Sequence, residues 1–317
     1  MNGDLMLDGL TFKRNEKKQI LFHPYELPVD LPATVICGKT PGMTLMVSAQ
    51  IHSGEYNGSG ALMRLAKIID PDKLSGNLIL FHCVNVTGFW QRKRRYVPED
   101  MANLNANFPG NENGTLGDKL AAWFVKEVFP HVDFIADLHN GKDNDILEPC
   151  VFYPRAEKVT EVALAAAKCL NTRYLIASSN AKGLYGYAAT HMNIPGMIIE
   201  RGYGCIQRDE WIRGHMDSVL LLMDHFGMYP LEKKIEKCEQ TIYPRSAYVT
   251  FDRRGVWNPA IKVNQKVKKG DLLGTITDFF GNEIKKYYAE YDGTIIYFIA
   301  GMCILEGDEA IAYGIDE

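Results

Sequence analysis

Thr44-Leu-Met-Val-Ser-Ala-Gln50, then Ile51-His-Ser-Gly-Glu55, then the stretch from Asn57 to Ile69: the reading of these three pieces decides the fold. The first is a near-continuous apolar run and reads as a buried strand, while the third carries apolar residues at helical spacing. Between them, His52 and Glu55 stand three residues apart in a strand-to-helix junction. An imidazole and a carboxylate placed there can converge on one metal ion, and zinc accepts both ligand types. An H-x-x-E pair also arises by chance as two polar loop residues, so the reading needs a third ligand.

Asp133-Phe-Ile-Ala-Asp-Leu-His139 supplies a candidate. It alternates and then runs into Asn140-Gly141, the mark of a strand entering a loop. In open α/β sheets, ligands collect outside the carboxyl ends of strands, and His52, Glu55 and His139 all follow such ends. Two histidines and a glutamate leave a fourth coordination position open for water. The helical H-E-x-x-H motif is absent. Asp137, two residues before His139, points to the same face of the strand. It is a candidate partner for the second ring nitrogen of a histidine ligand, with a helix contact or a salt bridge as the alternative.

Outward from this centre, strands and helices alternate between about residues 33 and 230. The strands expected are 33–37, 44–50, 77–84, 133–139, 173–178 and 196–200; the helices expected are 57–69, 115–128, 156–170, 184–192 and 207–226. Such alternation predicts an α/β domain with helices on both sides of a mixed, largely parallel sheet. The connection 85–114 shows little periodicity and is loaded with Arg, Asn and aromatic residues. A loop that long inside a compact domain is usually functional or disordered; its side chains favour function. Beyond about Lys237, short β-rich segments alternate with Gly-Asp and Gly-Asn turns. The expected division is therefore an α/β domain at 1–236 and a small all-β domain at 237–317.

Bulk properties narrow the function classes. A net charge of −4 offers no electrostatic case for nucleic acid or an anionic membrane. No stretch approaches the length of a membrane span, and the opening Met1-Asn-Gly-Asp-Leu5 has neither a basic start nor an apolar core, so no secretory signal is expected. The seven cysteines are scattered with no C-x-x-C pair, which argues for reduced thiols in a cytoplasm. The basic run Arg92-Lys-Arg-Arg95 is either a solvated loop or a group of cations facing an anion.

Five segments in order carry a family resemblance: Gly38-Lys-Thr-Pro-Gly-Met-Thr44 leading to His52-Ser-Gly-Glu55, Arg95-Tyr-Val-Pro-Glu-Asp100, Asn103-Leu-Asn-Ala-Asn-Phe-Pro-Gly110, Asp137-Leu-His-Asn-Gly141, and Ile194-Pro-Gly-Met-Ile-Ile-Glu-Arg-Gly202. Together they resemble the succinylglutamate desuccinylase/aspartoacylase family of the zinc carboxypeptidase-like superfamily. Val263–Asp271, Thr277–Gly281 and Tyr291–Gly293 are similar to the β-domain appended to many of these deacylases, a barrel-sandwich hybrid of the kind found in biotinyl and lipoyl carriers. The hairpin tip falls near Gly281 and lacks the lysine that a carrier needs.

The resemblance implies a zinc-carboxypeptidase-like three-layer α/β/α domain followed by that β-domain. It implies Zn2+ held by His52, Glu55 and His139, and hydrolysis of an amide bond in a small N-acyl amino acid or amine. Glu200 takes the general base's position, Arg95 that of the arginine facing the developing oxyanion, and Asn105 that of a substrate-orienting residue. One departure stands out: the family's usual Asn-Arg pair is Asn105-Ala106 here, and a methyl group cannot replace a bidentate guanidinium. Arg92, Arg94, Lys142 or Arg201 could supply another carboxylate clamp, or the substrate has no carboxylate there. Tyr185, Tyr187 and Tyr203 read as core packing. A small-peptide metallopeptidase and a non-catalytic binding protein on the same fold are the competing readings. The β-rich tail leaves room for a homo-oligomer.

Overall fold

The computed structural model describes residues 4–142 and 144–316. One mixed sheet of nine strands organises most of the chain. In spatial order it runs Thr241–Tyr243, Tyr174–Ser178, Cys150–Pro154, Gly196–Glu200, Phe134–His139, Thr40–Ala49, Ser75–Phe81, Leu31–Cys37 and Glu16–Phe22. The four strands from Gly196–Glu200 to Ser75–Phe81 are mutually parallel. Strands of this kind are covered on both faces, so they read as continuous apolar runs rather than alternating ones. Phe134–His139, for example, is buried at every position.

Helices Tyr56–Ile68, Thr160–Cys169 and Asp209–His225 cover one face, packing Leu62, Leu65, Ala163 and Leu222 against Leu45, Val47, Leu138 and Ile199. On the other face, helix Leu116–Trp123, its π-turn continuation Phe124–Val128, and helix Leu184–His191 press Trp123, Phe124 and Leu184 onto Met46, Phe81 and Ile135. Thr115 and Asp118 close a reciprocal capping box at the start of the first of these, a feature typically worth about 1 kcal/mol. The result is the expected three-layer α/β/α arrangement.

Three strands of the sheet were not anticipated. Thr241–Tyr243 and Glu16–Phe22 form the two edges, and Cys150–Pro154 runs antiparallel to the Glu200 strand. The latter is a five-residue run bounded by Pro149 and Pro154, too short to show a period. The connection 85–114 contains helix Val86–Gln91 and a single 3₁₀ turn, Leu104–Ala106.

The C-terminal part is built from antiparallel strands in two sheets around Phe251, Trp257, Leu273, Ile295 and Ile311. It is knitted to the rest of the chain in two ways. Asp145–Leu147 pairs with Gly293–Ile299, and Thr241–Tyr243 joins the nine-stranded sheet. A shared core of Leu147, Phe152, Ile176 and Tyr243 against Ile296, Tyr297 and Ala312 fills the space between. This packing roofs part of the sheet face beside the Glu200 strand. Among the described residues, no helix is long and apolar enough to cross a membrane.

Candidate active site

The parallel strands deliver the predicted residues to one place. Glu200 and His139 are the last residues of neighbouring strands and stand in register with each other. The next strand over, Thr40–Ala49, ends beside Leu138, and its chain continues into His52 and Glu55. Glu55 is the residue preceding helix Tyr56–Ile68, a position whose side chain usually caps the helix. Here it does not cap. Its two oxygens go instead to the two imidazoles, Oε1 to Nδ1 of His52 and Oε2 to Nδ1 of His139, each at 2.9 Å.

The outward nitrogens are engaged as well. His52 Nε2 donates to Asn103 Oδ1 at 3.1 Å, and His139 Nε2 donates to Asp137 Oδ2 at 2.9 Å. Ser48 Oγ donates to the other oxygen of Asp137 at 2.8 Å. The hydrogen bond at one ring nitrogen decides which nitrogen is left for a metal. With both Nε2 protons directed outward, the Nδ1 lone pairs turn to the Glu55 oxygens, and one ligand atom from each of the three residues lies within 4.8 Å of the others. Three acceptors so placed are stable around a cation, and His₂Glu is a donor set that zinc takes. The residues therefore fit the metal that the fold implies. Burial alone would push the Glu55 carboxyl up, but positive charge on the His52 and His139 imidazoles outweighs it and holds it well below the carboxylate range, as a cation between the three would.

Around this trio lie buried polar atoms without a hydrogen-bond partner among the described residues: Glu200 Oε2, Arg95 Nε, and both Oδ1 and Nδ2 of Asn140. Buried polar atoms are nearly always satisfied, so their convergence on one cavity marks a place that a ligand completes. Burial pushes the Glu200 carboxyl up to about 8; His139 pulls against this, and the carboxylates of Glu55, Asp145 and Asp137 add to the rise. Asn140 also donates its backbone N–H to Glu55 Oε2 at 3.2 Å.

Arg95 is brought in by a backbone clasp. Gly54 N donates to Arg94 O at 2.8 Å, docking segment 92–96 on the ligand loop. A side chain at 54 would come within 2.8 Å of Cys205 Sγ and 3.1 Å of Arg94 Cβ, so the close approach requires glycine.

The cavity is a cleft of about 530 Å³ lined by His52, Glu55, Arg95, Asn105, His139 and Glu200, within the range of small-molecule sites. Its roof comes from the C-terminal part through Arg245, Tyr248, Tyr297 and Glu309. Asn105 Oδ1 accepts from Leu184 N at 2.9 Å, which leaves its NH₂ group for a ligand. Tyr185 is buried in the core and also lines the cleft. Tyr187 packs on His191 and Tyr203 on Trp211.

Of the four alternative clamps, Lys142 alone lines this cleft. Arg94 borders an adjoining chamber, and Arg92 a groove beside helix Tyr56–Ile68. Arg201 is a correction: it is buried and donates to Asn171 and Thr172, outside the cleft. It also forms no salt bridge with Glu200, whose Oε2 has no partner among the described residues. Ala106 is exposed and outside the cleft lining. Sequence reasoning missed Asn103 and Asn140, although both lie inside motifs it quoted, and it missed Arg155 and Arg245 altogether.

The model of the succinylglutamate desuccinylase/aspartoacylase catalytic domain matches residues 41–225. The chain is 26% identical, over 278 residues, to the N-alpha-acetyl-L-2,4-diaminobutyric acid deacetylase of Halomonas elongata, covering 84% of this chain and 80% of that protein. The product-bound structure of the ectoine utilization protein EutE from Ruegeria pomeroyi superposes with a TM-score of 0.82 at 23% identity, covering 94% of this chain and 93% of that one. A succinylglutamate desuccinylase/aspartoacylase structure from Rhodobacter sphaeroides gives 0.81 at 21% identity, covering 99% and 98%. At these identities the solved structures speak for the fold.

Proposed function

The chain belongs to the succinylglutamate desuccinylase/aspartoacylase family, and on that premise we propose that it is a zinc-dependent deacylase that hydrolyses the amide bond of a small N-acyl amino acid or N-acyl amine. The observation that carries this reading is the set of partnerless buried atoms on Glu200, Arg95 and Asn140 around the His52–Glu55–His139 trio. His52, Glu55 and His139 would hold the metal, with Asp137 and Asn103 fixing the two imidazoles. Zinc, when bound, supplies a Lewis acid that polarises the carbonyl and makes water more acidic.

The protein's own groups account for the remainder. Glu200 accepts a proton from the attacking water as its oxygen bonds to the carbonyl carbon. It then returns that proton to the nitrogen as the C–N bond breaks, releasing an amine and a carboxylate. General acid–base assistance of this kind is typically worth about 10²–10⁴-fold. Arg95 faces the carbonyl oxygen as charge develops there, a role whose loss typically costs about 10²–10³ in turnover. Asn105 orients the substrate through its NH₂ group. The roof of Tyr248, Tyr297 and Glu309 narrows the cleft, which favours a small N-acyl compound over a peptide.

The test is hydrolysis of a panel of N-acyl amino acids and N-acyl diamines, N-alpha-acetyl-diaminobutyrate among them, with bound metal quantified in the same preparation. Turnover that chelation abolishes and zinc restores is the expected result. Failure to take up metal after zinc addition would overturn the enzymatic reading.

A further inference from the structure

The cleft continues well past the metal-ligand trio. Glu200 is in register with Cys150, and the strand Cys150–Pro154 runs antiparallel, away from the trio. At about 3.3 Å per residue, its Pro154 end lies about 13 Å beyond Glu200. Ile198 and Phe152, paired across the two strands, pave the floor between these points.

At the far end two arginines meet the cleft from different parts of the chain. Pro154 is in register with Ser178, and Arg155 follows it. On the other side of Tyr174–Ser178, strand Thr241–Tyr243 pairs Tyr243 with Ile176, and Arg245 follows two residues on. Both arginines line the cleft and both are exposed. Among the described residues neither enters an ion pair; Arg245 lies 5.8 Å from the centre of the Tyr291 ring. The carboxylates of the cleft are elsewhere. Glu309 is opposite Thr250, four residues along the strand from Ser246, and Asp145 is opposite Ile299 and accepts from Lys142 N.

We propose that Arg155 and Arg245 form an anion subsite for the distal end of the substrate's amine half: a carboxylate, or a group of like charge, carried several bonds from the scissile nitrogen. The assignment rests on the deacylase reading in one respect. Glu200, which returns the proton to the leaving nitrogen, borders this cleft and not the adjoining chamber. The amine half therefore lies along the sheet. The chamber, about 270 Å³ and reached past His52, Glu55, Arg95 and Lys142, is left for the acyl half.

The experiment is calorimetric binding of aminohexanoate and of its carboxamide, aminohexanamide, to the full-length zinc-loaded protein and to the Arg155→Gln/Arg245→Gln double variant. The two probes have the same length and amine, and differ in the terminal charge. Wild type is expected to bind the acid about tenfold tighter than the amide, the scale of one charge-assisted contact. The double variant is expected to bind both alike, with its melting temperature retained; each single variant loses part of the preference. Equal binding of the two probes by wild type, or a preference that survives in the double variant, overturns the subsite. Hydrolysis of the acyl panel is scored separately. A protein that binds aminohexanoate through these arginines yet cleaves no N-acyl compound sinks the deacylase reading and leaves the subsite standing.

Discussion

Asp137 grips His139 from the side opposite Glu55: its Oδ2 accepts from Nε2 at 2.9 Å, while Ser48 holds its other oxygen. The two residues are two apart on one strand, so their side chains share a face, and the contact follows from local geometry alone. It fixes the imidazole with Nδ1 turned inward. Asp137→Asn is expected to weaken metal binding by about 10–100-fold, the usual effect of losing such a partner, with the fold unchanged. Competition against a chelator of known affinity measures this. Wild-type affinity in the variant would mean that Glu55 and packing orient the ring without help.

Glu200 stands in register with His139, its Oε2 buried and without a partner among the described residues. Glu200→Gln preserves shape and removes the proton-accepting group. The variant is expected to retain full metal content and to lose at least about 100-fold in turnover. Both quantities are read from one preparation, so a metal defect cannot pass for a catalytic one. Undiminished turnover would remove Glu200 from the mechanism.

Much of this site was legible because its residues terminate buried strands. An apolar run ending in a polar residue announces Glu200 and His139, and the three-residue spacing announces His52 with Glu55. Asn103 and Asn140 carry no such signal, since a loop asparagine reads alike whether it caps a turn or fixes a ligand. Arg201 misled through adjacency. Neighbouring residues at a strand end project to opposite sides, so Glu200 enters the cleft while Arg201 turns to Asn171 and Thr172. Arg155 and Arg245 meet the cleft only because two strands distant in sequence flank Tyr174–Ser178, and that topology is not written in any local pattern.

The C-terminal part is expected to be indispensable to folding as well as to the cleft. A chain ending at residue 236 uncovers Leu147, Phe152 and Ile176 and loses Tyr243 with its strand. At about 1.5–3 kcal/mol for each large apolar side chain, the loss approaches the whole stability of a typical domain, about 5–15 kcal/mol. The truncated chain should show no cooperative thermal transition and should aggregate on size exclusion. A sharp transition near that of the full chain would show that the shared core is dispensable.

His215, on helix Asp209–His225, is wholly buried. Burial, joined by the Arg201 guanidinium, presses its imidazole from 6.5 down to about 3, against favourable contacts with the backbones of Arg201 and His139. The folded protein thus keeps this ring neutral where the unfolded chain would protonate it. The stability involved is complete above pH 6.5 and is lost as pH falls from there toward about 3, up to about 5 kcal/mol in all. His215→Leu removes the titrating group while keeping an apolar side chain of similar size. Across the window from about pH 6 to pH 4, the variant's stability should fall less steeply than that of wild type, by about 1.4 kcal/mol per pH unit. Urea unfolding at several pH values measures both slopes, and the carboxylates common to the two proteins cancel in the difference. Identical slopes would show that His215 is not held neutral in the native state.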